Sequence, residues 1–326
     1  MPTITERLEH RLPVGLRPVW RLAVRTAGET VDDRVTGLAA EAAFFALLSF
    51  VPLLLALLGA VGWVLELLGT ETTAEINRLV YGLPRTFLSD RTFDAYRQIA
   101  NEILGGGRGS VVSVGFLVAL WGGSRAVNAF LEAINIAYDL ERPRSAWRRR
   151  LLALSITVAG AVLGALVVPA LVLGPRLLRW LIPGPVVVVV PGWVATVGFY
   201  LALAVVTVAL IATFYHIAVP WRTPWLRDLP GAVVGMVLWL LGAGALRTYI
   251  AFSFGGDNLY SSFAAPLAVM LWLFVTAFAV LLGAELNAEI EKMWPHAGTP
   301  DEFRDDSGDP ADDSGPSQAM PQRLRR

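Results

Sequence analysis

The sequence predicts an all-α polytopic membrane protein, a bundle of six transmembrane helices with both termini in the cytoplasm. Hydrophobic residues make up 55% of the 326 residues and charged residues 17%, against about 25% charged residues in a typical soluble domain. Several apolar runs exceed the roughly 18 residues that indicate a membrane-spanning helix. Arginines also concentrate in some of the polar segments, and this distribution predicts the orientation.

The polar leader, residues 1–37, precedes the first long apolar run. From Leu16 to Val35, apolar residues alternate with Arg17, Arg21, Arg25 and Arg34. This spacing is typical of an amphipathic helix that lies on the inner membrane surface. A solvated polar leader without such a helix is an equal alternative.

Six apolar segments define a membrane domain over residues 38–291. The predicted spans are about 38–68, 110–138, 151–174, 192–219, 231–252 and 263–290. Between the first two spans lies an outer loop, residues 69–109, in which segments 71–80 and 91–104 look like short surface helices. Residues 292–326 form an acidic, low-complexity tail that we expect to be disordered in the cytoplasm.

Glycine and proline punctuate these spans. Pro52 interrupts the first span, and Gly160 with Gly164 forms a G-x-x-x-G pair in the third. Such a pair suits close contact between two membrane helices, although the pattern is common by chance in glycine-rich apolar sequence.

The charges of the connecting segments favour cytoplasmic termini. With both ends inside, the inner segments hold 18 lysines and arginines and the outer segments hold 7. A cluster of five arginines, including Arg148, Arg149 and Arg150, directly follows the second span. Positively charged segments of this kind stay on the cytoplasmic side of the membrane.

A polar stripe runs along the second span. Arg125, Asn128, Glu132, Asn135 and Asp139 recur at spacings of three, four, three and four residues, which places them on one face of a helix. A charged side chain at the centre of a bilayer costs at least about 2.5 to 3.5 kcal/mol, so the stripe is expected to face protein or water.

Several spans place ionisable groups in the inner half of the membrane. At 1.5 Å per residue, Glu132 lies roughly 9 Å and Arg125 roughly 20 Å from the inner boundary. One interpretation is a water-filled vestibule open to the cytoplasm, lined by Glu41, Glu132 and Glu285 and floored by Arg125. The alternative is structural: Arg125 pairs with a carboxylate, and Asn128 with Asn135 bridges neighbouring helices. The candidate pathway or substrate-binding residues are Arg125, Asn128, Glu132, Asn135, Glu41 and Glu285, and Arg247 with Asp257 is a candidate outer-side polar group.

The residue inventory argues against an enzyme. The chain has no cysteine, and its three histidines are scattered over the leader, a span and the tail. A metal-dependent nuclease needs clustered histidines and carboxylates, and no P-loop, G-x-S-x-G or H-E-x-x-H motif is present. We therefore expect no catalytic residue, no metal, no cofactor and no nucleic-acid partner.

Four stretches resemble the YihY/virulence factor BrkB-like family of bacterial inner-membrane proteins. They are EAAFFALLSFVPLLLALLG (41–59), LWGGSRAVNAFLEAINIAYDLERPRSAWRRRLLAL (120–154), DLPGAVVGMVLWLL (228–241) and LWLFVTAFAVLLGAELNAEIE (271–291). The connector DNLYSSFAAP departs from the Tyr-Gly-Ser-like turn usual in the family. The resemblance implies a six-helix integral membrane protein. Members have been called virulence or serum-resistance factors, some have been linked to envelope lipid transport, and an old label made the family a ribonuclease.

The sequence thus predicts a multi-pass protein of the bacterial inner membrane, a transporter or lipid-handling protein rather than an enzyme. Membrane lipids are expected partners, and an anionic lipid or solute is the expected substrate class. The alternative is a non-catalytic scaffold or interaction protein, and homo-oligomerisation is left open.

Overall fold

The computed structural model describes residues 13–68, 78–82, 85, 90–106, 109–140, 145–173, 192–221, 223–253 and 261–296. Within these residues the chain forms eight α-helices and no strand. The helices are α1 (Arg17–Asp32), α2 (Val35–Leu68), α3 (Asp90–Gly106), α4 (Gly109–Ala137), α5 (Ala146–Leu173), α6 (Gly192–Ala218), α7 (Leu229–Ser253) and α8 (Ser261–Met293). Short turns of other helix types cover Val14–Leu16, Arg78–Gly82 and Trp225–Asp228.

Four helices of the described chain contain segments long and apolar enough to cross a membrane. These segments are Ser113–Ala137, Thr196–Ala218, Trp225–Tyr249 and Leu267–Met293. They confirm the prediction of an all-helical membrane protein. Helices α2, with 34 residues, and α5, with 28 residues, occupy the positions predicted for the first and third spans. The count of six spans and the cytoplasmic location of the termini stay predictions.

Small side chains hold α2 against α4. Gly122 lies so close to α2 that a Cβ atom there would be 2.9 Å from the Cβ of Ser49. On one side of this crossing, Ala39 and Ala42 of α2 are buried with Ala129 and Ala133 of α4. From the Gly122–Ser49 contact, residues later in α4 lie beside residues earlier in α2. The two helices are therefore antiparallel. Alanine and glycine at such a contact let the helix backbones approach closely.

A second close crossing joins α7 to α8. Gly231 packs on Gly283, and a Cβ atom at Gly231 would collide with the Gly283 carbonyl oxygen. The G-x-x-x-G pair of the third span behaves differently, because a Cβ atom at Gly160 or Gly164 would meet no described atom within 4 Å. The suggestion that this pair marks a close helix contact is therefore wrong for the described residues. Glycine spacing identifies a contact only where another helix lies over it.

Helix α8 is the common partner of the bundle. It packs against α7, α2, α1 and α4. Its buried residues include Ala277 and Leu281 beside α2, and Ala284 and Ala288 beside the helices of the other core cluster. Helix α1 lies against the last turns of α8 and buries Thr26 and Thr30. Part of the predicted leader thus forms a helix that is docked on protein along one face. Its location on the inner membrane surface stays a prediction.

Candidate functional site

Arg125 occupies the centre of a membrane-spanning segment. It lies twelve residues from either end of Ser113–Ala137, or about 18 Å from each end at 1.5 Å per residue. Its side chain is exposed at the surface of the bundle. The guanidinium carbon lies 5.8 Å from the centroid of the Phe45 ring and 5.7 Å from that of Trp121. Each such cation–π contact contributes about 0.5–1 kcal/mol at an exposed site.

The crossing of α2 and α4 explains why these aromatic rings surround Arg125. Gly122 touches Ser49, and the helices are antiparallel. Arg125 lies one turn after Gly122 on α4, and Phe45 lies one turn before Ser49 on α2. Arg125 is therefore opposite Phe45. Trp121 precedes Arg125 by four residues and therefore shares its helix face. The rings of Phe45 and Trp121 are themselves in edge contact, with centroids 6.5 Å apart, so they form a fixed support for the guanidinium.

The carboxylates predicted as partners of Arg125 are not bound to it. Among the described residues, Arg125 forms no ion pair and its side chain makes no hydrogen bond. Glu132 instead approaches Arg149 of α5, with Arg149 Nη2 3.5 Å from Glu132 Oε2. Glu285 lies elsewhere, in a cluster described below. The structural interpretation of Arg125 as one half of an ion pair therefore has no support in the described chain.

The amides of the polar stripe also lack the contacts that a bridging role requires. Asn128 and Asn135 are partly buried, yet neither side chain has a hydrogen-bond partner among the described residues. Glu41 is exposed and lies one turn from Phe45 on α2. We define the α4 polar face as Trp121, Arg125, Asn128 and Glu132, which share one side of the helix. It carries unpartnered donors beside an unpaired cation.

A cavity of about 310 Å³ lies between α2, α7 and α8, and it is not the predicted vestibule. Its lining is almost wholly apolar and includes Ala40, Ala43, Leu271 and Phe274. None of the predicted site residues lines it. Of the polar groups of α4, Arg125 and Glu132 are instead exposed on the surface of the bundle.

Glu285 belongs to a partly buried group of charges that holds α1 on the end of α8. We call this group the α8 charge cluster, and its members are Arg25, Asp33, Asp139, Glu285, Glu289 and Lys292. Arg25 Nε lies 2.7 Å from Glu289 Oε2, and Lys292 Nζ lies 2.7 Å from Asp139 Oδ2 and 3.3 Å from Glu289 Oε1. Glu285 is buried and has Asp33 beside it. No hydrogen bond or ion pair joins Glu285 to Arg125 or Glu132 in the part of the chain that the structure describes.

Two carboxyl groups in or beside this cluster, those of Asp33 and Glu29, have raised pKa values. Burial raises the pKa of Asp33, and the nearby Asp139 carboxylate raises it further, while Lys292 and a side-chain hydrogen bond with Glu285 oppose the rise. Burial likewise raises the pKa of Glu29, and Lys292 opposes this shift. Desolvation disfavours the charged form of a carboxyl group, which explains the direction of both shifts.

Polar contacts also close the junction before α7. Asn287 of α8 accepts a hydrogen bond from the Gly231 N–H at 2.8 Å and donates one to the Asp228 carbonyl at 3.0 Å. His216 Nδ1 lies 3.1 Å from Asp228 Oδ2. These contacts involve residues close to the Gly231–Gly283 crossing, and they satisfy a backbone donor at the start of α7.

Sequence reasoning missed the importance of the carboxylates at the end of α8. Glu289 is not among the residues predicted for the site, yet its side chain is 0% exposed and contacts two cations. Glu291 is also buried, with Arg227 Nε at 3.3 Å and His296 Nδ1 at 2.6 Å. The available signal was the spacing of Glu285, Glu289 and Lys292, which places them on one face of a helix that is apolar elsewhere.

The remaining predicted residues lie apart from this region. Arg247 of α7 is exposed, and Asp257 lies outside the described residues. The described chain contains no group of three or more histidine, aspartate or glutamate side chains placed to hold a metal ion.

Comparison with known proteins identifies the family. Residues 26–307 match the model of the virulence factor BrkB family. A Bacillus subtilis (strain 168) protein, YfkH, described as ribonuclease-like, is 25% identical over 264 residues, which cover 78% of this chain and 89% of the relative. No solved structure matches the chain. Since the family match spans most of the sequence and the described helices are those of a membrane protein, the chain belongs to the virulence factor BrkB family.

Proposed function

We propose that this protein is a non-catalytic transporter or lipid-handling protein of the bacterial inner membrane, and that it binds an anionic group at Arg125. The observation that carries the proposal is the environment of Arg125. Its guanidinium lies at the centre of a span, exposed, held by two aromatic rings and unpaired among the described residues.

The protonation chemistry of arginine supports an anionic ligand. A guanidinium stays charged at any physiological pH. A charge at mid-membrane depth requires a counter-ion or water beside it. The aromatic rings stabilise the cation only partly, and its N–H groups have no acceptor among the described residues. A phosphate or carboxylate group would accept two of these N–H groups in parallel, which is the geometry that arginine binds best.

The polar face suits a substrate that has an anionic head and an apolar body. Asn128 and Glu132 continue the polar surface from Arg125 towards the end of α4. Apolar side chains also lie on the exposed surface of α2 beside it, including Phe44 at 53% exposure. An amphiphile could place its head against the polar face while its tail stays in lipid. We therefore propose an anionic membrane lipid, or a solute with the same head chemistry, as the substrate class.

The proposal includes the topology. We propose six spans, in which α2 and α5 join the four segments named above, with both termini in the cytoplasm. In this orientation the end of α4 at Ala137 is the inner end. The arginines that follow it favour this arrangement.

Two substitutions of Arg125 separate a binding role from a structural role. Arg125→Ala removes two cation–π contacts and should cost no more than about 2 kcal/mol of stability, whereas breaking a buried ion pair would cost about 3–5 kcal/mol. Arg125→Lys keeps the charge and loses the bidentate N–H fork. We expect both variants to fold, and we expect both to fail to restore the envelope lipid profile of a deletion strain.

Thermal unfolding of the purified chain in detergent checks the folding, and lipid analysis of the complemented strain checks the activity. Arg97, an exposed arginine of α3, supplies the matched controls Arg97→Ala and Arg97→Lys. A lysine variant that complements fully, together with an alanine variant that unfolds, would overturn the anion-binding proposal. Full complementation by both Arg125 variants would favour a scaffold function instead.

A further inference from the structure

Arg149 lies at the end of the α4 polar face that is nearest the start of α5. It belongs to the first turns of α5, and its backbone N–H donates to the Ser145 carbonyl at 3.0 Å. Its side chain is 26% exposed and reaches across to α4, where it approaches Glu132. Seven residues separate Glu132 from Arg125, so Arg149 meets the polar face about 10 Å from the level of Arg125.

The guanidinium of Arg149 uses little of its hydrogen-bonding capacity. Its Nε atom is buried and has no acceptor among the described residues. Its separation from Glu132 is 3.5 Å, longer than the 2.7–2.9 Å of a well-formed charge-assisted hydrogen bond. Glu132 is itself half exposed, with 50% of its side chain accessible. The ion pair is therefore weak, and the Glu132 carboxylate can separate from Arg149 and be solvated by water at a small cost in free energy.

The start of α5 also lacks negative charge. The N-terminus of a helix carries a partial positive charge and favours anions. Helix α5 nevertheless has no acidic residue in its first turn, and Arg148, Arg149 and Arg150 follow directly. Arg148 and Arg150 are exposed. Among the described residues, Glu132 is the carboxylate that approaches this group of like charges, and an external anion would balance them further.

We propose that Arg149 is the first contact of the anionic substrate, and that Glu132 is a resident counter-ion which the substrate displaces. The ligand class is a phosphate group, which accepts parallel hydrogen bonds from the terminal N–H groups of the guanidinium. From Arg149 the anion passes along Asn128 to Arg125, about 10 Å further into the membrane. This inference rests on the proposed function and adds the place where the substrate is first bound.

The two residues of the pair predict opposite effects on affinity. Arg149→Gln should weaken phosphate binding by about tenfold or more, the loss expected for a hydrogen bond to a charged group. Glu132→Gln removes the competing carboxylate and should tighten binding. A merely structural ion pair predicts lower thermal stability for both variants and no gain of affinity for either. Arg150→Gln, next in the same arginine run, is the matched control and should bind like the wild type.

Binding is measured on the full-length chain in phosphatidylcholine nanodiscs, with fluorescent phosphatidylglycerol as the probe and inorganic phosphate as the competitor. Competition by inorganic phosphate would identify a free phosphate group as sufficient for binding. Binding that only the lipid sustains would identify a lipid headgroup with its attached tail. In either case, loss of probe binding in Arg149→Gln supports Arg149 as a phosphate contact.

The inference and the proposed function can fail separately. Unchanged or weaker binding in Glu132→Gln overturns the displacement of a counter-ion, even if Arg149→Gln does not fold. If Glu132→Gln does not tighten binding while Arg125→Lys still abolishes activity, the proposed function stands and the substrate is first bound elsewhere. If Arg149 and Glu132 behave as expected while the Arg125 variants complement fully, the surface contact stands and the path to Arg125 is wrong.

Discussion

Asp33 is the residue whose ionisation opposes the docking of α1. It lies between α1 and α2, beside Glu285 and Asp139, and burial raises its pKa. A carboxyl group with a raised folded-state pKa contributes stability that is fully present below its unfolded pKa, near 3.9. That contribution is lost as the pH rises through the folded pKa, because the charged form is the one that burial disfavours. Glu29 has the same sign of shift.

The pH dependence of stability therefore tests the assignment. Wild-type protein should lose stability as the pH rises from about 4 towards neutrality, and Asp33→Asn should remove part of this decline because asparagine cannot ionise. The measurement is the melting temperature of the purified chain in detergent over that range. Asp94→Asn, an exposed carboxylate of α3 that does not act on Asp33, is the control and should leave the slope unchanged. Equal slopes in wild type and Asp33→Asn would contradict the assignment.

The local part of the candidate site could be predicted at the scale of residues. The spacing of Arg125, Asn128 and Glu132 along one helix already places them on one face. Their partners could not be predicted in the same way, because partners depend on how one helix lies over another. Glu132 contacts Arg149, and Glu285 contacts Asp33, because of the way the helices pack. The spacing of residues along one helix does not predict that packing.

At the scale of elements, the crossing of α7 and α8 is the contact most sensitive to side-chain size. A methyl group at Gly231 would collide with the Gly283 carbonyl and lie 2.6 Å from the Asn287 side-chain nitrogen. It would also disturb the hydrogen bond between the Gly231 N–H and Asn287. Overpacking a close contact typically costs about 1–3 kcal/mol, so we expect Gly231→Ala to lower the melting temperature clearly.

Gly160→Ala is the matched control for this substitution. Gly160 also lies within a helix and in a G-x-x-x-G pattern, but the described structure leaves open space beside it. Alanine there should be neutral or stabilising by up to about 1 kcal/mol, because it favours the helix more than glycine does. The two melting temperatures in detergent check the pair of expectations. A Gly231→Ala protein as stable as the wild type would contradict the close crossing.

Helix positions were predictable from the sequence, and helix contacts were not. The apolar runs marked the six longest helices of the described chain. Helix α2, however, continues through Pro52, where the sequence indicated an interruption of the first span. The glycine pair of α5 misled because its pattern is local, whereas a contact requires a second helix at the right place. The docking of α1 on α8 could not be predicted from the sequence either. The amphipathic pattern of α1 is the same whether lipid or α8 covers its apolar face.

At the scale of the whole molecule, the arginine distribution predicts that Arg148–Arg150 and the C-terminus are both cytoplasmic. Reporter fusions at residue 145 and after residue 326 should both give an inside signal, with an alkaline phosphatase fusion inactive and a fluorescent protein fusion bright. An outside signal at either position would overturn the orientation. It would also place Arg149 on the opposite surface from the one at which we propose the substrate is first bound.

The ion pair between Arg25 and Glu289 joins residues 264 positions apart in the chain, and this separation has a consequence for biosynthesis. At about 5–20 residues per second, roughly 13 to 53 s pass between the synthesis of the two residues. During that interval α1 has no partner at this site, and Asp139 lacks its contact with Lys292. A chain that is truncated before α8 therefore keeps its first helix undocked, however completely its earlier spans have entered the membrane.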